Sequence, residues 1–79
     1  MWLFTKTGFY SVVYKPKDGP RLTIRARARS DLLALRRDYL PNLSRIVEVP
    51  NADYQFRAFA PRRDFERALA KIAARRRLR

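Results

Sequence analysis

Leu22-Thr23-Ile24-Arg25-Ala26-Arg27-Ala28-Arg29-Ser30-Asp31-Leu32 decides the fold, because the side-chain period changes inside this one stretch. From Leu22 to Arg29 the alternation is strict: Leu22, Ile24, Ala26 and Ala28 point one way, and Thr23, Arg25, Arg27 and Arg29 point the other. Period two with one apolar side is the signature of a strand half-buried on a core. Ser30 then offers an N-cap and Asp31 a negative charge in the first helical turn. Leu32, Leu35 and Tyr39 follow at helical spacing until Pro41 stops the run. A strand with an arginine-lined outer face therefore leads straight into a helix.

Working outward toward the N-terminus, Lys15-Pro16-Lys17-Asp18-Gly19-Pro20 is a turn by its chemistry, since Asp-Gly favours reversal and proline cannot donate to a ladder. Before it lie two short runs, Met1 to Thr5 and Phe9 to Lys15, rich in aromatic and β-branched residues and apolar on both faces. Lys6-Thr7-Gly8 between them reads as a hairpin in which Gly8 supplies a positive φ.

Toward the C-terminus, Arg45 to Val49 reads as a short strand and Pro50-Asn51-Ala52-Asp53 as a turn. Tyr54 to Ala60 reads as a strand with Tyr54, Phe56 and Ala58 on one side and Gln55, Arg57 and Phe59 on the other. Pro61 suits a first helical position, Asp64 a helix start, and Phe65, Leu69 and Ile72 make an apolar stripe. This second helix is expected to fray into a basic tail at Arg75 to Arg79.

The order is βββ-α-ββ-α, an α+β fold with an antiparallel-rich sheet of four to five strands. Two short helices suffice for only one side of such a sheet, so both are expected on one face, leaving the other open. A chain of 79 residues accommodates a single domain, 1–79. No repeat or linker divides it.

Composition narrows the function. Fifteen Arg and four Lys against seven acids give a formal charge of +12, which favours polyanionic or acidic partners. Trp2, five Phe and four Tyr are too much hydrophobe for a disordered polycation. With no Cys and no His, thiolate chemistry and the usual zinc ligand sets are excluded, and a reducing, cytoplasmic setting is expected. No apolar run is long enough to span a membrane. General acid–base catalysis lacks its commonest residue, and a nucleophile could come only from scattered hydroxyls such as Ser11, Ser30 and Ser44, with no His to activate them. The carboxylates mostly fall at turn, cap and helix-start positions and form no metal-ligand spacing, and two glycines exclude a P-loop or dinucleotide fingerprint. The chain is expected to be no enzyme, and to need no cofactor or metal.

What remains is cationic and aromatic. Arg25, Arg27, Arg29 and Arg57 are expected to project from the open face at about 7 Å intervals along each strand, a spacing that suits an extended nucleic-acid backbone. Phe59 shares that face, and alternate residues of Phe9 to Tyr14 reach it, Tyr10 being the candidate among them. Rings there could stack with bases while guanidinium groups take phosphates. The competing reading is a solvated strand face whose Arg stems cover apolar surface. A second basic surface is expected on helix two, where Arg63, Arg67, Lys71 and Arg75 recur every four residues opposite the apolar stripe.

The opening Met1-Trp2-Leu3-Phe4-Thr5-Lys6-Thr7-Gly8-Phe9-Tyr10-Ser11-Val12-Val13, with Thr23-Ile24-Arg25-Ala26-Arg27, Asp31-Leu32 and Asp53-Tyr54-Gln55-Phe56-Arg57, resembles a family of small bacterial proteins that begin in the same way. That family has no assigned activity, so the resemblance implies a shared fold and no site. Its members continue after helix two into an acidic, aromatic segment, whereas Ala73-Ala74-Arg75-Arg76-Arg77-Leu78-Arg79 departs from that pattern.

Two functions of different class fit these residues. One is a nucleic-acid-binding module that uses the Arg and aromatic sheet face together with the basic helix. The other is a protein-directed module, such as a phage- or mobile-element-encoded inhibitor of the anti-CRISPR kind, docking on an acidic or nucleic-acid-handling host complex through Arg and Tyr hot spots.

Overall fold

A computed structural model describes residues 1–6, 8–15, 17 and 19–75. Its elements run β1 (Trp2–Thr5), β2 (Gly8–Tyr14), β3 (Arg21–Ala26), α1 (Arg29–Asp38), β4 (Val47–Glu48), β5 (Phe56–Pro61) and α2 (Arg62–Arg75). The five strands form one antiparallel sheet in the order β1-β2-β3-β5-β4. The expected α+β architecture is the observed one. Of the frayed basic tail anticipated at Arg75 to Arg79, Arg75 is instead the last residue of α2, and residues 76–79 lie outside the described residues.

Both helices pack on the same side of the sheet. That side presents Leu3, Tyr10, Val12, Leu22, Ile24, Ala26, Ala58 and Ala60, which join Leu32 and Leu35 of α1 and Phe65, Ala68 and Ile72 of α2 in one buried cluster. The three alanines at the sheet centre leave room for the larger helix side chains to seat close to the backbone. Leu40, Leu43 and Ile46, from the segment joining α1 to β4, complete the cluster. Arg36 Nη2 donates to the Ser44 carbonyl at 2.6 Å, tying this segment to α1. Asn42 Nδ2 donates to Asp64 Oδ2 at 3.3 Å, tying it to the start of α2.

The boundaries depart from the sequence reading at four places. Strand β3 ends at Ala26 rather than Arg29, and α1 begins at Arg29 with Ala28 as its N-cap (φ −125°, ψ 137°) and no side-chain cap. Ser30 is thus inside the helix, where its hydroxyl cannot serve as the cap. Pro61 closes β5 opposite Arg21 instead of opening α2, because a position without an N–H is tolerated at a strand end. The strand expected over Arg45 to Val49 is only Val47–Glu48, although Ser44 extends the same edge by donating N–H to the Phe59 carbonyl (2.9 Å) and accepting from the Phe59 N–H at Oγ (2.8 Å). The strand expected from Tyr54 begins at Phe56, so Tyr54 escapes the alternation and packs on the opposite side of the sheet from Phe56.

Gly8 opens β2, and the close approach of Tyr10 explains the residue there. A Cβ on Gly8 would meet Tyr10 Oη at 2.5 Å and Cζ at 2.8 Å. Positive φ occurs instead at Gly19 (89°) and Asn51 (68°), both in the expected turns.

Candidate functional site

The side of the sheet away from the helices is built in rows, since directly paired residues of antiparallel strands project to the same face. One row crosses all five strands: Trp2, Ser11, Arg25, Arg57 and Val47. Phe4 and Phe9 form the next row on one side, and Val13, Thr23 and Phe59 the next on the other, with Arg21 beyond them opposite Pro61. Arg27 follows the end of β3, adjoining the Phe4–Phe9 row.

The rings and guanidinium groups on this face pack on one another. Trp2 stacks on Phe9 with centroids 5.3 Å apart and planes 8° apart, and Phe4 tilts against Phe9 at 4.5 Å. Tyr54 closes the group, 6.0 Å from Trp2 and 6.4 Å from Phe9. The guanidinium carbons of Arg25 and Arg27 lie 5.1 Å and 5.3 Å from the centroid of the Tyr54 ring, and that of Arg21 lies 4.1 Å from the centroid of Phe59. Such contacts hold a cation in place by about 0.5–1 kcal/mol each while leaving its hydrogen-bond donors unspent. Arg25 Nη2 also donates to Ser11 Oγ at 2.7 Å.

This face is uncompensated electrostatically. Among the described residues, the ion pairs are Arg37–Asp38, Arg62–Glu66 and Arg67–Asp64, all on helices, and none involves Arg21, Arg25, Arg27 or Arg57. Among the described residues, the buried Nε atoms of Arg25 and Arg57 find no hydrogen-bond partner, nor does the buried Oγ1 of Thr23, which pairs with Phe59 in the next row. Trp2 and Phe4 nevertheless remain 60% and 63% exposed, the two most exposed large hydrophobic side chains of the described residues.

Of the expected site residues, the structure gathers Arg25, Arg27, Arg57 and Phe59 on the open face. Two others are elsewhere. Arg29 is the first residue of α1 and exposed, because the chain leaves the sheet after Ala26. Tyr10 is fully buried on the helix side, paired with Leu3, and its hydroxyl donates to the Asp31 carbonyl at 2.6 Å. The register puts Phe9 and Ser11, not Tyr10, on the open face. Trp2, Phe4, Phe9, Tyr54 and Arg21 are the members that sequence reasoning missed. The first three follow from the register with β3, which the doubly apolar runs of β1 and β2 do not reveal by themselves.

The α2 row is separate from this cluster. Arg63, Arg67 and Lys71 are exposed on a helix that covers the other side of the sheet, and Arg75 lies with its guanidinium carbon 5.3 Å from the centroid of the Tyr39 ring. Two ion pairs at helical spacing lie on α2, Arg62–Glu66 at 3.8 Å between exposed side chains and Asp64–Arg67 at 3.9 Å with Asp64 half-buried, both long and weak. No helix among the described residues is long and apolar enough to cross a membrane.

No protein family, no curated protein and no solved structure matches this chain.

Proposed function

We propose that this protein is a non-enzymatic nucleic-acid-binding module that takes the phosphate backbone on the open face of its sheet. One observation carries the reading: Arg21, Arg25, Arg27 and Arg57 share a face, and among the described residues no carboxylate forms an ion pair with any of them. Placing like charges across paired strands costs stability, so a face that keeps them without local compensation is suited to a ligand that brings negative charge. Guanidinium groups held by ring contacts and by Ser11 are pre-positioned, which lowers the ordering cost of binding. The exposed cations of α2 lie across the molecule from this face and act on a ligand there by long-range attraction. Several of the carboxylates serve helix ion pairs, which supports a binding role over an acid–base one.

The test is fluorescence anisotropy of labelled single-stranded DNA, duplex DNA and RNA over a salt series, with an Arg25/Arg27/Arg57→Ala variant in parallel. Steeply salt-dependent binding by the wild type, with a flatter slope in the variant, is the expected result. Weak binding, equal for all three ligands and unchanged in the variant, would overturn the reading and direct the search to an acidic protein partner by pull-down.

A further inference from the structure

Resting on the reading above, we infer that the ligand is an unpaired strand, and that Trp2 and Phe4 are platforms on which two of its bases stack. Both residues sit on β1, two positions apart, so their side chains emerge on the same face about 7 Å from one another. Each is backed by the same ring, Phe9, which lies parallel to Trp2 and 4.5 Å from Phe4. A backed ring is rigid, and a large part of each outer surface still meets solvent. Rigid, exposed, flat apolar groups beside unneutralised guanidinium groups match the two parts of a nucleotide that an unpaired strand presents together.

A duplex offers only one of those parts. Its bases are stacked on each other inside the helix, and its outer surface is phosphate and sugar, against which Trp2 and Phe4 would be desolvated with nothing to stack on. Arg25 and Arg57 are half-buried in the row that begins with Trp2, so backbone contact occurs at the level of the rings. The cross-strand row Trp2, Ser11, Arg25, Arg57 sets a base site at the sheet edge and a phosphate site at its centre, with Ser11 orienting the arginine between them.

The experiment compares Trp2→Ala, Phe4→Ala and Arg25/Arg57→Ala with wild type, using a labelled oligothymidine and a duplex of equal length, with circular dichroism to verify folding. The expected outcome is tighter binding of the single strand, a loss of about five- to a hundredfold with either ring variant on that ligand, and little change on the duplex. In the wild type, fluorescence of the sole tryptophan, Trp2, should be quenched as oligothymidine is added. If the duplex binds at least as tightly, and the ring variants bind as wild type while the arginine variant does not, this inference fails and backbone recognition stands. If no variant alters binding to either ligand, both fail. Should the ring variants instead abolish a concentration-dependent self-association seen by sedimentation while leaving binding intact, the aromatic patch is a contact between copies and the inference is overturned.

Discussion

Arg25 and Arg57 stand directly opposite one another across the β3–β5 pair, each with a buried Nε that has no hydrogen-bond partner. Opposed like charges at paired positions are destabilising, and an unsatisfied buried donor adds to the cost. Their juxtaposition at the middle of the face, with no ion pair to either among the described residues, is the clearest sign that this part of the surface is arranged for something other than stability.

Replacing Arg57 by threonine should therefore stabilise the free protein by several tenths of a kcal/mol to about 1 kcal/mol, because it removes the repulsion and suits a strand. Thermal unfolding should shift upward by a few degrees, as expected for a domain of this size. The same variant should bind a single strand more weakly and with a shallower salt slope. A lower melting temperature would show that Arg57 contributes packing that outweighs its charge.

Gly8→Ala should destabilise by about 1–3 kcal/mol, since the added methyl meets a phenol that cannot retreat. Tyr10 is fully buried and its hydroxyl is held by the Asp31 carbonyl at 2.6 Å. Tyr10→Phe alone should cost about 1 kcal/mol for the lost hydrogen bond. Combining the two should be less damaging than the sum, because removing the hydroxyl removes the nearest clash. Denaturant melts of the two single variants and the double variant measure that coupling directly.

Leu35→Ala, at a fully buried position where α1 meets the sheet, should cost about 2–5 kcal/mol and leave a domain this small largely unfolded at room temperature. Far-UV circular dichroism would register loss of the helices. Retention of wild-type stability would mean that α1 is not held by this contact.

The exposed α2 cations provide the contrast to the sheet face. Arg63→Ala and Lys71→Ala, separately or together, should lower affinity for a labelled strand modestly and equally for all sequences, through net charge alone. Arg25/Arg57→Ala removes the same number of charges and should cost more, because its groups are in contact with the ligand. Equal losses in the two double variants, measured at a single salt concentration, would mean that the ligand is not confined to the sheet.

Asp38 supplies a pH-dependent contact at the end of α1. The hydrogen bond from Arg37 holds its carboxyl below the usual carboxylate range, against an opposing effect of desolvation, and the charges of Arg37 and Arg75 act in the same direction as the bond. A lowered folded-state pKa means that this contribution is present above the ordinary pKa of aspartate and is lost as the pH falls through the folded value. Carbon-detected NMR titration should place Asp38 below the ordinary value of an aspartate, and Arg37→Ala should return it toward that value.

Much of the fold is local in origin, which is why it is legible along the chain. The period-two run ending at Ala26 determines a strand, Leu32 and Leu35 at helical spacing determine a helix, and the stripe of Phe65 and Ile72 determines another. With the order of elements, these decide an α+β sheet covered on one side, and they mark Arg25 and Arg57 for the uncovered side. Sequence by itself also determined the charge and the want of His and Cys. Tertiary structure decided what shares the face with those arginines. The runs at Met1 to Thr5 and Phe9 to Lys15 are apolar at successive positions, so no internal pattern says which residues turn inward. Pairing with β3 settles it, because a shift of one residue would exchange Phe9 and Ser11 for Tyr10 and Val12, and the Tyr10 hydroxyl donates to the Asp31 carbonyl on α1. Likewise Tyr54 obeys no alternation once the strand starts at Phe56, and its place between Trp2, Phe9 and the guanidinium groups of Arg25 and Arg27 arises from packing between segments remote in sequence.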